Sequence, residues 1–364
     1  MRHTARTFGR LCALATLAGL SACEDKTSFG NFIAPTTIAN AFIVTPLVGD
    51  NTALGAPVVD EDLINPWGIA FGPTGLLWVA NNGTGKATIY SATGEKQALE
   101  VTIPPPPPPH SLPTGVIFNP TTDFVIPGSN NPAAFIFASE DGIISAWNTG
   151  NTAVIVSDQS GTGAVYKALT MASRNGANVL YATNFASGKV DVFDAHFNLL
   201  AGSFTDPTIP LDFAPFGIQN VAGKLFVTYA KKAPPPDDDD DEAGVGNGFV
   251  VVFNPDGSVA QRFASHGSLN SPWAVVVAPA GFGPFAGAIL IGNFGDGKIG
   301  AYNAATGAFI DFLRTTGGAV IAIDGLWGLQ FGPTSTSTSL YFASGPGNEL
   351  HGLVGTITPA VTTP

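Results

Sequence analysis

The sequence predicts an all-β fold, a six-bladed β-propeller closed by an N-terminal strand, on three observations. Glycine and proline, 44 and 29 of the 364 residues, are scattered along the whole chain. This distribution is typical of frequent turns between short apolar strands. No long apolar stretch with a helical period follows residue 25, and one unit of apolar runs and turns recurs six times. A repeat of this kind indicates a ring of similar sheets.

The six copies begin at or near residues 66, 113, 167, 215, 272 and 326. Their spacing of 47 to 57 residues suits four short strands with their turns, which is the content of one blade. The last copy lacks a fourth strand, whereas residues 41–47 (AFIVTPL) form a β segment before the first copy. We therefore expect residues 41–47 to supply the missing outer strand and close the ring. The alternative is an open solenoid or a pair of β-sandwiches.

The N-terminus has the pattern of an export signal. Arg2, Arg6 and Arg10 precede a ten-residue apolar run, 11–20, which is too short to span a membrane as a helix. The next residues, LSAC, resemble the bacterial lipobox, which predicts cleavage before Cys23 and lipidation of that cysteine. An ordinary secretory signal with a chance cysteine is the alternative. The predicted organisation is a signal peptide 1–22, a lipidated tether 23–40, a propeller 41–357 and a tail 358–364.

The charge of the chain limits its partners. Fifteen basic and 27 acidic side chains give a net charge of −12, which becomes −15 if the three arginines of the signal peptide are removed. So acidic a surface repels nucleic acid and anionic lipid headgroups. We expect no nucleic-acid partner, and contact with the membrane only through the lipid anchor. The predicted location is the cell envelope, in the periplasm or on the outer surface.

The repeats resemble those of the NHL and SMP-30-like propellers, whose units read Pro-x-Gly-Ile, then Leu-Tyr-Val-Ala-Asn, then Ile-x-Val-Phe. The stretches NPWGIAFGPTGLLWVANNGTG, YATNFASGKVDVFD and GPGNELHGL carry the likeness. They are also similar to a family of uncharacterised exported bacterial propellers, over about residues 40 to 357. The likeness to this second family implies the fold and a bacterial envelope protein, and it implies no particular activity.

The most informative prediction concerns one end of the central channel. The first strand of a blade is innermost, and strands alternate in direction, so strand-one entries and the turns after strand two lie on the same face. Residues at these positions should converge on one mouth of the channel. The predicted binding residues of this mouth are Trp67, Asn82, Lys167, Phe216, Trp273 and Trp327.

A divalent cation, Ca²⁺ or another, is a possible cofactor at this mouth. Glu140, Asn184 and Asn293 supply the oxygen ligands that Ca²⁺ prefers, and Asp324 precedes the sixth blade. SMP-30-like hydrolases hold a metal with similar residues, so the resemblance implies the same role here. The alternative is that the asparagines cap turns.

Two functions follow from these alternatives. The first is an envelope-tethered scaffold that binds a small molecule, a glycan or a protein through an aromatic-rimmed mouth. The second is a metal-dependent hydrolase or lactonase, which would be an enzyme, whereas the first would not.

Two inserts interrupt the repeats. Six prolines at 104–109 predict a short polyproline rod that acts as a spacer. The run APPPDDDDDE at 233–242 places five consecutive aspartates inside the fourth blade. Because like charges repel, we expect a solvated loop there, with weak Ca²⁺ binding as the alternative.

Overall fold

The computed structural model describes residues 39–104, 111–202, 204–334 and 337–360, and the predicted lipidation site Cys23, most of the 104–109 rod and most of the 358–364 tail lie outside these ranges. Six sheets, antiparallel except for one short parallel pair in the sixth blade, form the blades of a propeller, which confirms the predicted fold. None of the described helices, three short 3-10 turns, is long and apolar enough to cross a membrane.

The ring closes as the sequence predicts. Strand β1 (Phe42–Gly49) is followed by the short β2 (Val58–Val59), and β1 pairs antiparallel with the last strand of the chain, Leu353–Pro359. The sixth blade therefore has the order β2, β1, last strand, then the two strands before it. Because β1 covers the last strand, that strand is not left as an exposed edge, and the first and sixth blades are tied together.

Blades one to three follow β1 and β2. Their strands are β3 (Pro66–Phe71), β4 (Leu77–Asn81), β5 (Lys86–Tyr90) and β6 (Lys96–Thr102); β7 (Pro113–Phe118), β8 (Phe135–Ser139), β9 (Ile143–Trp147) and β10 (Val154–Asp158); and β11 (Tyr166–Arg174), β12 (Ala177–Asn184) and β13 (Lys189–Phe193). The third blade has three regular strands, because the next segment pairs only through the isolated bridges Val190 to Phe204 and Phe193 to Leu199.

Blades four to six complete the ring. Their strands are β14 (Phe213–Val221), β15 (Lys224–Lys231), β16 (Phe249–Phe253) and β17 (Val259–Ser265); β18 (Pro272–Val277), β19 (Ile289–Asn293), β20 (Ile299–Tyr302) and β21 (Phe309–Phe312); and β22 (Leu326–Phe331), β23 (Leu340–Ser344) and β24 (Leu353–Pro359).

The innermost strands approach one another closely at one level of the channel. Positions are counted from the strand-one entries, which are Pro66, Pro113, Tyr166, Pro215, Pro272 and Leu326. The second residue after each entry is small, and a Cβ added to Gly68 would lie 2.7 Å from the carbonyl oxygen of Thr114 in the next blade. A Cβ on Gly217 or Gly328 would likewise meet the carbonyl of Trp273 or Trp67. This level, which we call the collar, divides the channel into two ends. Its members are Gly68, Gly115, Ala168, Gly217, Ala274 and Gly328.

The aspartate insert is a folded hairpin whose residues 234–240 are exposed, so the run is solvated as its charge predicts but is paired at its base. Lys232 and Asp241 form an antiparallel bridge, and the amide of Ala233 donates to the carbonyl of Asp240 at 2.8 Å. The Lys231 ammonium also lies 2.8 Å from a carboxylate oxygen of Glu242. Cross-strand pairing and ion pairs offset the repulsion that sequence reasoning emphasised.

Candidate functional site

The predicted aromatic residues do meet at one end of the channel, but they fill it. The rings of Trp67 and Trp327 stack with centroids 3.5 Å apart, and Phe294 stacks on the other face of Trp327 at 3.9 Å. Trp273 packs edge-on against both tryptophans, and Phe216 packs at a tilt on Trp327. All four predicted aromatics are buried, at most 9% exposed. The rings therefore form a plug above the collar instead of an open rim.

Lys167 is buried in this plug and is held by charge. It is 1% exposed, and its ammonium lies 5.5 Å from the Trp67 ring centre, within cation–π range. Nζ donates to Glu140 Oε1 at 2.5 Å and to Asp240 Oδ1 at 3.1 Å. Burial lowers the pKa of Lys167, but the carboxylates of Glu140 and Asp240 outweigh it and hold that pKa above its usual value. The aspartate hairpin thus supplies one of the two counter-charges.

A chain of hydrogen bonds extends from this ion pair around the mouth. Asn82 Nδ2 donates to Glu140 Oε2 at 2.9 Å, so both oxygens of Glu140 are engaged. Asn65 Nδ2 donates to Glu349 Oε2 at 2.8 Å, and Asn65 Oδ1 accepts from Trp327 Nε1 at 3.1 Å. Together with Lys167 and Asp240, the residues Asn65, Asn82, Glu140 and Glu349 form what we call the charged mouth.

Glu349 is the titratable group of the mouth that sequence reasoning missed. Burial, reinforced by the negative charges of Glu140 and Asp240, raises the pKa of Glu349 to about 7. Both Asn348 and Glu349 have left-handed backbones, with φ of 56° and 64°, which is costly for residues other than glycine. Oε1 of Glu349 has no hydrogen-bond partner within the described ranges. The turn therefore holds a half-buried carboxylate with one oxygen free.

Asp324, predicted as a metal ligand, supports this turn instead. Its Oδ2 accepts from the amide of Gly347 at 2.9 Å, and its side chain is otherwise exposed. This contact secures the loop that carries Glu349.

The predicted ligands Asn184 and Asn293 bond within their own blades. Asn184 Nδ2 donates to Asp191 at 2.8 Å, and its Oδ1 accepts from the amide of Ser187 in the following turn. Asn293 Nδ2 donates to the Ser268 carbonyl at 2.8 Å and to Asp296 at 3.2 Å. Asn184 thus caps the turn that follows it, as in the alternative that the sequence left open. Asn293 caps no backbone amide, and its buried Oδ1 has no hydrogen-bond partner within the described residues.

A one-residue offset explains why Glu140 separates from these asparagines. The ladder pairs the first-strand entries Tyr166 and Pro272 with Asn184 and Asn293, but Pro113 with Ser139. Residues one position further on occupy the mouth, and in every blade but the fourth their amides bond to the carbonyl of the residue before strand one. This ring of equivalent positions is Asn82, Glu140, Phe185, Ala230, Phe294 and Gly345. The recurring Asn-Phe at 184–185 and 293–294 was the signal that could have located it.

The residues of the mouth do not fit a divalent cation bound at Glu140. The ammonium of Lys167 already lies against that carboxylate, and a second cation there would be repelled. Elsewhere, Asp60, Asp62 and Glu100 bring three carboxylate oxygens within 4.8 Å of one another in blade one. The ammonium groups of Lys86 and Lys96 neutralise that cluster, with the Lys96 to Asp60 contact at 2.7 Å.

The other end of the channel is open and uncharged. Below the collar lies a cavity of about 330 Å³ that all six first strands line. At the third position after each strand-one entry this cavity carries an aliphatic side chain, 4–7% exposed. These residues are Ile69, Val116, Leu169, Ile218, Val275 and Leu329. We call this space the channel cavity.

Comparison with known proteins shows the family. No family model matches the sequence. Two uncharacterized proteins of Acanthamoeba polyphaga mimivirus, R648 and L690, are each 33% identical to the chain, over 341 and 353 residues. These alignments cover 90% and 93% of this chain and 82% and 91% of the viral proteins. The chain belongs to the family of these mimivirus proteins. The bacterial origin implied by the resemblance gains no support from them.

Solved structures agree on the fold. A streptogramin B lyase covers 88% of the chain with a TM-score of 0.52 at 13% identity, and 97% of the lyase is covered. A gluconolactonase from Xanthomonas campestris covers the same shares with a TM-score of 0.52 at 12% identity. The alignment with a luciferin-regenerating enzyme covers 87% of this chain and 95% of that enzyme, with a TM-score of 0.50 at 11% identity. At these identities the likeness shows the propeller fold and no activity.

Proposed function

We propose that this propeller binds small molecules at the charged mouth, and that it recognises a cationic group on the ligand. The observation that carries this is the surplus of negative charge there. The carboxylates of Glu140, Asp240 and Glu349 lie around one buried ammonium, that of Lys167. Glu349 has a free oxygen, and the side chain of Asp240 is 74% exposed. A ligand ammonium could therefore pair with both without displacing the aromatic plug.

The aromatic residues support this site indirectly. Because Trp67, Trp327 and Phe294 stack on one another, their faces are already used. Their role is to exclude water beneath Lys167, which strengthens the charge interactions above them. The proposed ligand therefore pairs with carboxylates and does not stack on the aromatic rim that the sequence predicted.

Titration calorimetry with putrescine as the probe tests the proposal. We expect saturable binding that Glu349→Gln weakens by about tenfold, since one counter-charge is lost. Binding should also strengthen as the pH rises through about 7, where Glu349 ionises. Succinate, an anionic probe of similar size, should not bind.

Asp237→Asn is the matched control, because Asp237 lies in the same aspartate run and its side chain makes no hydrogen bond within the described ranges. It should change the affinity less than about twofold. Equal losses in Glu349→Gln and Asp237→Asn would show that the diamine binds only to diffuse negative charge, and the proposal would fail.

A second candidate, favoured by the pKa of Glu349 near 7, is a hydrolase or lactonase that uses this carboxylate as a general base. A base with a pKa close to the working pH is the most effective, and Oε1 is free to accept a proton. Two structures of the same fold are named a gluconolactonase and a streptogramin B lyase. No metal at Glu140 is part of this candidate, because Lys167 lies there.

Ring opening of gluconolactone, followed against the buffer rate, tests this second candidate. Enzymatic opening should disappear in Glu349→Gln, persist in Asp237→Asn and rise with pH about a midpoint near 7. A rate equal to that in buffer would exclude this lactone as a substrate, and a rate unchanged in Glu349→Gln would exclude Glu349 as the base.

For the location we propose a lipid anchor at Cys23, on the strength of the arginines, the apolar run and the LSAC motif alone. In a host that acylates such cysteines, the chain should partition into detergent and Cys23→Ala should not. Recovery of the unaltered chain as free soluble protein would overturn this.

A further inference from the structure

The channel cavity is a second candidate site that the charged mouth does not use. It lies on the other side of the collar, and Trp273 forms part of its inner end. No Asp, Glu, Lys, Arg or His is among the residues that line it. Within the described chain, the two ends of the channel thus differ completely in charge.

The wall of the cavity is suited to an apolar body. Its six aliphatic side chains come from equivalent positions in all six blades, and each is largely buried in a hydrophobic cluster while it borders the cavity. The volume of about 330 Å³ falls at the lower end of the 300–1,000 Å³ typical of ligand sites. A dry apolar cavity of roughly 150 Å³ holds one benzene ring, so this one has room for a body of about two rings.

Four hydroxyl or amide side chains line the cavity, those of Thr170, Gln219, Asn220 and Gln330, and two of them are unengaged. Asn220 is satisfied, since its Nδ2 donates to the Met171 carbonyl at 2.7 Å and its Oδ1 accepts from the Gly223 amide. Gln219 and Gln330, both half-buried, make no side-chain hydrogen bond within the described part of the chain. An apolar pocket with a few free polar groups at one end is the usual design of a small-molecule site.

We propose that the channel cavity binds a neutral, largely apolar small molecule of about two rings, whose carbonyl or hydroxyl group is read by the amides of Gln219 and Gln330. A charged ligand is disfavoured, because no lining side chain could neutralise it in this surrounding. A glutamine amide both donates and accepts, so either a carbonyl or a hydroxyl on the ligand can be satisfied. This site is independent of the charged mouth.

Fluorescence titration of the full chain with N-phenylnaphthylamine, a neutral two-ring probe, tests the proposal. We expect saturable binding of one probe per chain. Gln219→Trp, which places a bulky side chain at the outer end of the cavity, should weaken binding at least about tenfold. Gln330→Trp, in the sixth blade, should do the same, which protects the test if one variant folds poorly.

Two controls separate this cavity from other surfaces. Gln97→Trp, on the outer strand of blade one, should leave binding unchanged, as should Glu349→Gln at the charged mouth. A groove of about 670 Å³ between blades four and five, bordered by Phe263, Tyr302 and Phe309, could also take the probe. Binding that survives both glutamine variants, or that Phe309→Ser abolishes, would overturn the proposal, as would binding that never saturates.

Discussion

The two ends of the channel are built on the same six strands, yet they differ in how the six repeats are used. At the channel cavity every blade contributes the same kind of residue, an Ile, Val or Leu at one equivalent position. At the charged mouth the six equivalent positions hold five different residue types, among them Asn82, Glu140 and Phe185. A repeated fold provides an apolar ring by symmetry, whereas a directional set of hydrogen bonds requires the symmetry to be broken.

The two ends also differ in how much they contribute to the stability of the fold and in how exposed they are. The mouth is closed by stacked rings and a buried ion pair, so changes there should affect folding. The outer end of the cavity is half-open, and its glutamines contribute little to the rest of the structure. The following changes test this contrast.

Replacement of Lys167 by Met should have the largest effect. The change leaves Glu140, which is 17% exposed, without its counter-charge, and loss of one partner of a buried pair costs about 3–5 kcal/mol. Urea unfolding measures the loss. The double variant Lys167→Met, Glu140→Gln should recover part of it. Lys232→Met is the control, since within the described residues the Lys232 ammonium forms no ion pair and contacts the Ala186 carbonyl at 3.3 Å and the Phe185 ring. Similar losses at both lysines would contradict the special role of the buried pair.

The pH dependence of stability should report Glu349. Its folded pKa of about 7 lies above the unfolded value, so the native state holds the proton longer and stability falls as the pH rises through this range. Glu349→Gln does not lose stability in this way. Its free energy of unfolding, relative to that of the unaltered chain, should therefore increase by on the order of 1–3 kcal/mol between about pH 5 and 8.

Asp241 provides the comparison for this titration. Burial raises the pKa of Asp241 to about 6, so the gain of Asp241→Asn should come at lower pH than that of Glu349→Gln. If the free energies of unfolding of Glu349→Gln and of the unaltered chain changed in parallel with pH, the pKa of Glu349 would not be raised by folding.

The smallest effect is expected at the outer end of the cavity, where two adjacent residues form a matched pair. Asn220→Leu removes two hydrogen bonds and should cost about 1–2 kcal/mol. Gln219→Leu removes none and should change the free energy of unfolding by less than about 0.5 kcal/mol. If the two variants lost the same free energy of unfolding, the Gln219 side chain would contribute to stability as Asn220 does, and the contrast with the mouth would fail.

Much of this architecture could be predicted from the sequence, because it is local and repeated. The number of blades follows from the period, and closure follows from one segment, residues 41–47, that matches one missing strand. The convergence of Trp67, Trp273 and Trp327 on one end of the channel follows from strand direction alone.

What the sequence by itself determined is thus the ring and the list of residues that border the channel. Only the tertiary structure decided which of them touch. A ladder offset of one residue separates Glu140 from Asn184, and sequence spacing does not reveal such an offset. Glu349 and Asp240 reach the mouth from a strained turn and a folded insert, contacts that join residues up to 284 positions apart. Hydrogen bonds and charge pairs act over a few ångströms, so their partners are set by packing and not by the repeat.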